Sequence, residues 1–218
     1  MIFGKINCFD IFASSFKRKI VAGLANRPRI WNTLHYLKLV EPSSQTIETE
    51  LLALGRYAAN ADLAAEIGSY QGVSAVYIAR AISPKGRLWS VDPWPDQQKR
   101  PNPCYSIFMR HVERSGVSGK ISVVRKKSDE ASDDLPETFD FAFIDGNHSW
   151  DGVDTDWKLM SPRMKQGGYI CLHDSVVPSG ETWRAVHDSV RYFEEVIRSD
   201  SRFEYCETVH SLVVLRRR

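Results

Sequence analysis

Three things are scarce in this sequence: cysteine, long apolar runs and an excess of charge of either sign. Its four cysteines lie far apart, form no CxxC pair and have no histidine at zinc-finger spacing, so neither a disulfide framework nor a structural zinc site is expected. No apolar run approaches the roughly 20 residues of a membrane-spanning helix. The first residues also lack the basic segment and apolar stretch of a secretory signal. We therefore expect a cytoplasmic protein without stable membrane insertion.

The charge balance of +2, from 29 basic and 27 acidic residues, gives no global field that would attract nucleic acid. The basic clusters Arg125-Lys126-Lys127 and Arg216-Arg217-Arg218 are not accompanied by an aromatic-rich surface for base stacking, and such runs are usually solvated. Nucleic acid is therefore not an expected partner, and the charge balance alone names no function.

The chain has 218 residues, of which 43% are hydrophobic and 26% charged. This composition is ordinary for a globular protein, and the length is near the upper size of one domain. Neither an internal repeat nor a long linker divides it. We expect a helical extension over residues 1–45 and one main domain over residues 46–218.

The extension contains an apolar stripe at helical spacing, formed by Phe9, Phe12, Phe16, Ile20 and Leu24. Basic residues flank the stripe, and such a helix can lie on a membrane surface. Packing against the domain or a second subunit is the commoner use. A second helix is predicted from Pro28 to Leu39. We expect these helices to cover the binding site or to form a contact between subunits of a homo-oligomer such as a dimer.

The main domain alternates between helical and strand patterns. Strands are predicted over residues 62–67, 87–92, 121–125, 139–144 and 169–173, with helices between them, and a further helical pattern covers residues 183–197. Gly167-Gly168 is predicted to turn the chain into the fifth strand. Residues 203–208 and 211–215 follow each other too closely for a crossover and should pair as an antiparallel hairpin. The pattern predicts an α/β fold with a mainly parallel sheet.

Ligands of such sheets bind beyond the carboxyl ends of the strands. After the first strand come Gly68 and Gly72, and glycines between a strand and a helix let the backbone pass close to a ligand. The GxGxxG dinucleotide fingerprint is absent. Glu66, directly before the turn, would repel a pyrophosphate but suits a ligand with a cationic group.

Two further strand ends carry polar residues. Asp92 ends the second strand, 26 residues after Glu66, about where doubly wound folds place the carboxylate that binds ribose hydroxyls, although an aspartate before proline can be a simple turn former. Ser128 follows the third strand and either contacts an adenine or caps a helix.

The fourth and fifth strands end in Asp145-Gly146-Asn147-His148 and in His173-Asp174-Ser175. If these strands are neighbours, Asp145 and Asp174 approach each other, and two such carboxylates repel unless a proton or a cation lies between them. Mg²⁺ is the natural occupant, and the two histidines leave a softer metal possible.

In order and combination, these motifs resemble the class I S-adenosylmethionine-dependent methyltransferases, and among them the cation-dependent small-molecule O-methyltransferases. The resemblance spans Thr46 to Leu215. Caffeoyl-CoA O-methyltransferases have a similar layout. The IDGNHS sequence with a later HD is closer to bacterial sugar and antibiotic-tailoring methyltransferases and to cephalosporin-hydroxylase-type proteins. The resemblance implies a Rossmann-like, doubly wound, seven-stranded sheet that is mainly parallel, with the C-terminal antiparallel hairpin and N-terminal helices.

The resemblance also assigns expected roles. The turn residues Gly68 and Gly72 would shape the cofactor site, with contacts from Ser69, Tyr70 and Ser74. Glu66 would help to hold the methionine end of S-adenosylmethionine, Asp92 the ribose and Ser128 the adenine, with Asp145 also facing the cofactor. Asp145 and Asp174 would bind Mg²⁺ or another divalent cation. Ser175 replaces the family's asparagine ligand, so the third ligand is open between His173, Ser175 and water.

The implied reaction is transfer of a methyl group to a small-molecule hydroxyl on a sugar, a phenol or a natural product. The cation would favour the ionised acceptor, and His148 would take its proton. The alternatives are a metal-independent N- or O-methyltransferase, a hydroxylase-like relative, and a non-catalytic cofactor-binding assembly subunit.

Overall fold

A computed structural model describes residues 28–96, 102–181 and 187–218. Helix α1, Pro28–Tyr36, belongs to a compact unit that ends at Glu41, and a second unit extends from Pro42 to Arg218. The predicted helix over residues 9–24 lies outside the described residues. In the described part of the chain, no helix is long and apolar enough to cross a membrane.

The second unit is built on one mixed sheet, which has seven strands among the described residues, in the order β3-β2-β1-β4-β5-β7-β6. Its first five strands in sequence run parallel, and β7 pairs antiparallel with both β5 and β6. The strands are β1 Leu63–Ile67, β2 Arg87–Val91, β3 Ile121–Val124, β4 Phe139–Ile144, β5 Met164–Leu172, β6 Phe203–Val209 and β7 Leu212–Arg217. The Rossmann-like sheet with a C-terminal hairpin is therefore confirmed.

Helices cover both faces of the sheet because successive side chains of each strand point to opposite sides. Phe141 and Phe143 of β4 belong to the core on one face, and Ala142 and Ile144 belong to the core on the other. The first core also contains residues of α2 (Glu48–Ala58), α3 (Val73–Ala81) and α4 (Pro103–Arg114). The second contains residues of α5 (Trp150–Met160), α6 (Asp188–Tyr192) and the π-helical turn Phe193–Ile197.

Most strand boundaries differ from the sequence prediction by one or two residues, and the start of the fifth strand differs by five. The fifth strand begins at Met164, before Gly167-Gly168, and the glycines lie in an irregularity where its register against β4 shifts. Gly167 has a φ of +82°, and an added Cβ on Gly168 would lie 2.8 Å from the Asp140 carbonyl oxygen. Glycine thus permits a bulge inside the strand rather than a turn before it.

The Asp140 carboxylate fastens the start of β1 to β4. Its Oδ2 accepts hydrogen bonds from the backbone N–H of Asp62 at 3.0 Å and of Leu63 at 2.8 Å, and its Oδ1 lies 2.7 Å from Lys165 Nζ. We expect Asp140→Ala to lower the free energy of unfolding by about 1–3 kcal/mol, because two partly buried donors lose their acceptor. Urea unfolding measures this, with the exposed Asp133→Ala as the matched control. Equal stability of the two variants would contradict the prediction.

Candidate functional site

A cavity of about 800 Å³ lies at the carboxyl edge of the sheet. The segments that follow β1, β2, β3 and β4 line it, as expected for a ligand site in a doubly wound fold. It contains most of the predicted cofactor residues, together with His148: Gly68, Ser69, Tyr70, Gly72, Ser74, Asp92, Ser128 and Asp145. Glu66 is not part of the lining.

The glycine turn joins the ends of β1 and β4 at backbone contact distance. Gly68 has a φ of +89°, and an added Cβ would lie 2.0 Å from the Asp145 carbonyl oxygen. Gly72 has a φ of +85° and packs against the Phe108 ring, which an added Cβ would meet at 2.8 Å. Helix α3 begins at Val73, so the turn brings its free N–H groups to the cavity.

Glu66 is fully buried behind the glycine turn. Its Oε2 accepts hydrogen bonds from the hydroxyls of Ser69 at 2.5 Å and Ser90 at 3.4 Å, whereas Oε1 has no hydrogen-bond partner among the described residues. Burial raises the pKa of Glu66 to about 7, the hydrogen bonds from serines oppose the shift, and the Asp145 carboxylate adds to it. Glu66 therefore acts on the cavity through Ser69, which does line it.

Asp92 connects the ends of β1 and β2. Its Oδ2 accepts the Tyr70 N–H at 2.9 Å and its Oδ1 accepts the Trp94 N–H at 2.8 Å. Trp94 in turn donates its indole N–H to the Tyr70 carbonyl at 2.7 Å. Burial raises the pKa of Asp92, and the backbone hydrogen bonds work in the opposite direction. The carboxylate is thus held in one orientation at the cavity wall.

Asp156 of α5 also lines the cavity, and the sequence analysis missed it. It is 3% exposed, burial raises its pKa to about 6, and a hydrogen bond from Ser128 opposes this shift. A Cβ added to Gly146 would lie only 2.4 Å from Asp156 Oδ2, so glycine is required at this contact. Asp156 falls on the same helix face as Val153, Trp157 and Met160, and an acidic residue in that apolar pattern was the available signal.

Asp145, His173 and Asp174 meet beyond the ends of β4 and β5, as predicted. His173 Nδ1 lies 3.0 Å from Asp145 Oδ1 and 3.5 Å from Asp174 Oδ1. The His173 side chain is fully buried and that of Asp174 is 2% exposed. One imidazole nitrogen therefore stands between the two predicted metal-binding carboxylates.

A third carboxylate, from Glu50 of α2, faces the other side of the His173 ring, and the sequence analysis did not identify it. His173 Nε2 lies 3.3 Å from Glu50 Oε2. Burial alone would lower the pKa of His173, but attraction and hydrogen bonding from Asp145 and Glu50 raise it to about 9. Burial would raise the pKa of Glu50, but His173 and the Ser211 hydroxyl outweigh it and hold the pKa at about 2.

His148 bridges the same two aspartates from the solvent side. Its Nε2 lies 3.3 Å from Asp145 Oδ1, and its Nδ1 lies 3.4 Å from Asp174 Oδ2. His187, which the sequence analysis did not single out, lies with Nδ1 3.6 Å from Asp174 Oδ2. Two sets of potential metal-ligand atoms converge within 4.8 Å, one from Asp145, His148 and His173, the other from His148, Asp174 and His187.

Ser175 stands where the resembled enzymes have an asparagine ligand. Its hydroxyl donates to the His173 carbonyl oxygen at 3.2 Å, and its N–H donates to the Ser211 carbonyl oxygen at 3.1 Å. These bonds tie the segment after β5 to the segment before β7. The Ser175 hydroxyl is engaged with backbone, while the His173 imidazole faces the aspartates.

Comparisons with known proteins show what this chain is similar to in sequence and in fold. Bovine catechol O-methyltransferase is 30% identical over 145 residues, covering 64% of this chain and 47% of that protein. The chain thus spans about half the length of this curated relative. Cofactor-bound Rv0187 from MTB has a TM-score of 0.64 at 16% identity, covering 88% of this chain and 89% of the other.

A second solved structure shows the same fold. TomG from Streptomyces achromogenes, an O-methyltransferase of tomaymycin synthesis in complex with SAM, has a TM-score of 0.61 at 17% identity and covers 88% of this chain and 98% of its own. A family model described as a methyltransferase domain matches residues 65–175, just over half of the chain. The match includes both the glycine turn and the His173-Asp174-Ser175 segment, and the chain therefore belongs to this methyltransferase domain family.

Proposed function

We propose that this protein is an S-adenosylmethionine-dependent O-methyltransferase that acts, with a divalent cation, on a hydroxyl group of a small molecule. The observation that carries the proposal is one continuous cavity that contains the glycine turn and Asp92 and reaches Asp145 and His148. The cofactor turn and the candidate proton acceptor therefore border the same space. The named activity of the bovine relative supports the O-methyl class.

S-adenosylmethionine fits the cavity by size and by chemistry, since about 800 Å³ lies within the usual range of ligand pockets. When bound, it supplies an activated methyl group. We propose that the backbone of the turn and the hydroxyls of Ser69 and Ser74 hold its methionine end, together with the Tyr70 segment and the negative charge of Glu66. Asp92 would accept hydrogen bonds from the ribose, Ser128 would contact the adenine, and Asp145 would face the methionine end.

Asp145, Asp174 and His173 would hold the divalent cation. The two carboxylates face His173 Nδ1 at 3.0 and 3.5 Å, and Asp145 and His173 also belong to one of the two sets of ligand atoms that converge within 4.8 Å. When bound, the cation would lower the pKa of an acceptor hydroxyl. Asp145 and Asp174 would hold the charge in place, and His173 would complete the protein ligands.

His148 is proposed as the proton acceptor. It lines the cavity, and its side chain is 23% exposed, so a substrate can reach it. Its two ring nitrogens face Asp145 and Asp174 at 3.3 and 3.4 Å, so these carboxylates fix the orientation of the ring at the cavity.

The direct test is S-adenosylhomocysteine formation from S-adenosylmethionine with a panel of catechols, phenols and sugars, before and after removal of divalent cations. We expect turnover with at least one hydroxyl acceptor, loss on chelation and recovery when a cation is restored. Turnover unchanged by chelation would favour a metal-independent enzyme. Tight S-adenosylhomocysteine binding without turnover across the panel would favour a non-catalytic subunit, and formation of an oxygenated product would favour a hydroxylase-like relative.

We expect His148→Gln to lower kcat at least a hundredfold on the acceptor found, since general base catalysis contributes about 10²–10⁴-fold. The Kd for S-adenosylhomocysteine should change little. His111→Gln in α4, outside the site, is the matched control and should retain the parent kcat. An unchanged kcat in His148→Gln would remove the proposed role.

The cellular setting and the assembly state are also proposals. The described cysteines, Cys104, Cys171 and Cys206, are free, which suits the reducing cytoplasm that we propose. We further propose a homo-oligomer formed through the N-terminal helices, with a small-molecule acceptor and no nucleic-acid partner. Light scattering of the protein with and without residues 1–41 tests the assembly.

A further inference from the structure

We propose that the cation site of this protein selects first-row transition ions, such as Mn²⁺, Fe²⁺ or Co²⁺, over Mg²⁺, and that Glu50 is the positioning residue responsible. Glu50 would hold His173 as a nitrogen ligand. This inference rests on the cation site of the proposed function, and it adds a residue and a class of metal.

His173 points its Nδ1 atom towards the two aspartates. Nδ1 faces the Asp145 and Asp174 carboxylates at 3.0 and 3.5 Å, and the side chain is fully buried. The ring is also packed edge-on against Phe143, with the ring centroids 6.3 Å apart. A buried imidazole needs a partner for each ring nitrogen, and the two carboxylates, or an ion between them, are in position to serve Nδ1.

The opposite ring nitrogen of His173, Nε2, faces a carboxylate of its own, because Glu50 Oε2 lies 3.3 Å away. Metal-bound histidines almost always donate their second N–H to a carboxylate or carbonyl, which fixes the tautomer and makes the ligating nitrogen more basic. With the Nε2 proton directed to Glu50, the lone pair of the neutral ring lies on Nδ1.

Glu50 itself is held by a set of hydrogen bonds. Its Oε1 accepts the Ser211 N–H at 3.0 Å and the Ser211 hydroxyl at 2.7 Å, and lies 3.3 Å from His210 Nδ1. Its Oε2 accepts the Ile47 N–H at 3.0 Å. The carboxylate is fully buried, so this network keeps it in one position. A residue fixed in this way can position His173 without touching the substrate.

The kinds of donor atom at the site determine which metal ion it prefers. Oxygen donors suit Mg²⁺, whereas imidazole suits first-row transition ions, whose affinity for a mixed nitrogen and oxygen site rises from Mn²⁺ to Cu²⁺. Here His173 joins the two carboxylates as a nitrogen donor, and His187 Nδ1 lies 3.6 Å from Asp174 Oδ2. The hydroxyl of Ser175, which follows Asp174 in the sequence, donates to the His173 carbonyl oxygen instead. The donor set thus includes imidazole nitrogen beside the carboxylate oxygens.

The test measures ion binding by calorimetry for Mg²⁺, Mn²⁺ and Co²⁺, and nitrogen ligation by the visible absorption of bound Co²⁺. In the parent protein we expect Mn²⁺ and Co²⁺ to bind at least a hundredfold more tightly than Mg²⁺. Glu50→Gln should weaken Mn²⁺ and Co²⁺ binding by about 10–100-fold and alter the Co²⁺ spectrum. His173→Asn, which replaces the nitrogen by an oxygen donor, should reduce the preference over Mg²⁺ at least tenfold.

Glu207→Gln is the matched control. Glu207 accepts hydrogen bonds from Arg56 and Tyr57, at the other end of the helix that carries Glu50, so its replacement loosens α2 without touching His173. It should leave ion binding unchanged. S-adenosylhomocysteine binding by each variant reports that the fold is intact, and if Glu50→Gln does not fold, His173→Asn still decides the metal preference.

Equal affinities for Mg²⁺ and Mn²⁺ in the parent protein would overturn the inference, as would a Co²⁺ spectrum that Glu50→Gln and His173→Asn leave unchanged. Binding of S-adenosylhomocysteine without binding of any cation would overturn it and leave the methyltransferase proposal standing. Failure of the parent protein to bind S-adenosylhomocysteine would instead count against the proposed function itself.

Discussion

Glu66→Gln is expected to stabilise the protein at pH 8 in the absence of cofactor. The pKa of Glu66 is about 7 in the folded protein, above its ordinary value of 4.5, so the folded state binds the proton more tightly than the unfolded chain does. Stability conferred by this site is therefore complete below pH 4.5 and is lost as pH rises towards 7. The buried charge costs about 3 kcal/mol above that range.

A neutral amide does not incur this cost. We expect the melting temperature of Glu66→Gln without cofactor to exceed that of the parent by several degrees at pH 8, and the difference to shrink as pH falls and to disappear below pH 4.5. The exposed Glu137→Gln should show no such pH dependence. A variant less stable than the parent at pH 8 would contradict the assigned direction of the pKa shift.

The same substitution should weaken cofactor binding. Glu66 provides negative charge behind Ser69, and charge-assisted hydrogen bonds contribute about 1.5–3 kcal/mol, so the Kd for S-adenosylhomocysteine should rise by roughly one to two orders of magnitude. Calorimetry at pH 8 measures this. An unchanged Kd would mean that Glu66 only supports the turn. Stability and binding are thus expected to move in opposite directions at this residue.

Gly68→Ala is expected to have the largest effect of any substitution considered. The new Cβ would lie 2.0 Å from the Asp145 carbonyl oxygen, and the φ of +89° is unfavourable for alanine. Backbone cannot rotate away as a side chain can, so the ends of β1 and β4 must separate. We expect a loss of more than about 4 kcal/mol in the free energy of unfolding and no measurable S-adenosylhomocysteine binding.

Gly116→Ala is the control that separates the steric clash of the added Cβ from the cost of a positive φ. Gly116 also has a positive φ, of +72°, but an added Cβ there meets nothing within 4 Å. This control should lose only the conformational preference, about 1–2 kcal/mol, and should bind the cofactor normally. A Gly68→Ala variant with parent affinity would show that the turn does not need its close approach to Asp145.

The sequence was sufficient for the elements whose signal is local. The alternation of residues 139–144 predicted β4 at its observed bounds, and the hairpin followed from the short gap between two apolar runs. The bulge at Gly167-Gly168 was not predicted, because the same glycine pair is compatible with a turn before a strand and with an irregularity inside one. Pairing with β4 decides whether the glycines form a turn or a bulge, and this pairing is a tertiary interaction that the local sequence does not encode.

In the candidate site, too, some residues could be predicted from the sequence and others could not. Residues that follow strand ends, such as Asp145 and Asp174, could be placed together because topology alone brings them to one edge. Glu50 could not, because it stands in a helix beside the apolar face formed by Leu51 and Leu54, more than a hundred residues before His173. Periodicity marks such a residue as part of an ordinary amphipathic helix. Its partner becomes visible only when α2 is packed on the sheet.

The position of β7 has a consequence for synthesis of the chain. It comes after the other six described strands in chain order, yet it lies inside the sheet, between β5 and β6. Strand β5, which leads into His173 and Asp174, therefore lacks one neighbour until residues 212–217 have left the ribosome. Ser211, which holds Glu50, arrives equally late. The nascent protein can form its cofactor turn early, but the aspartates and histidines should acquire their final arrangement only in a later step of folding, once β7 has entered the sheet.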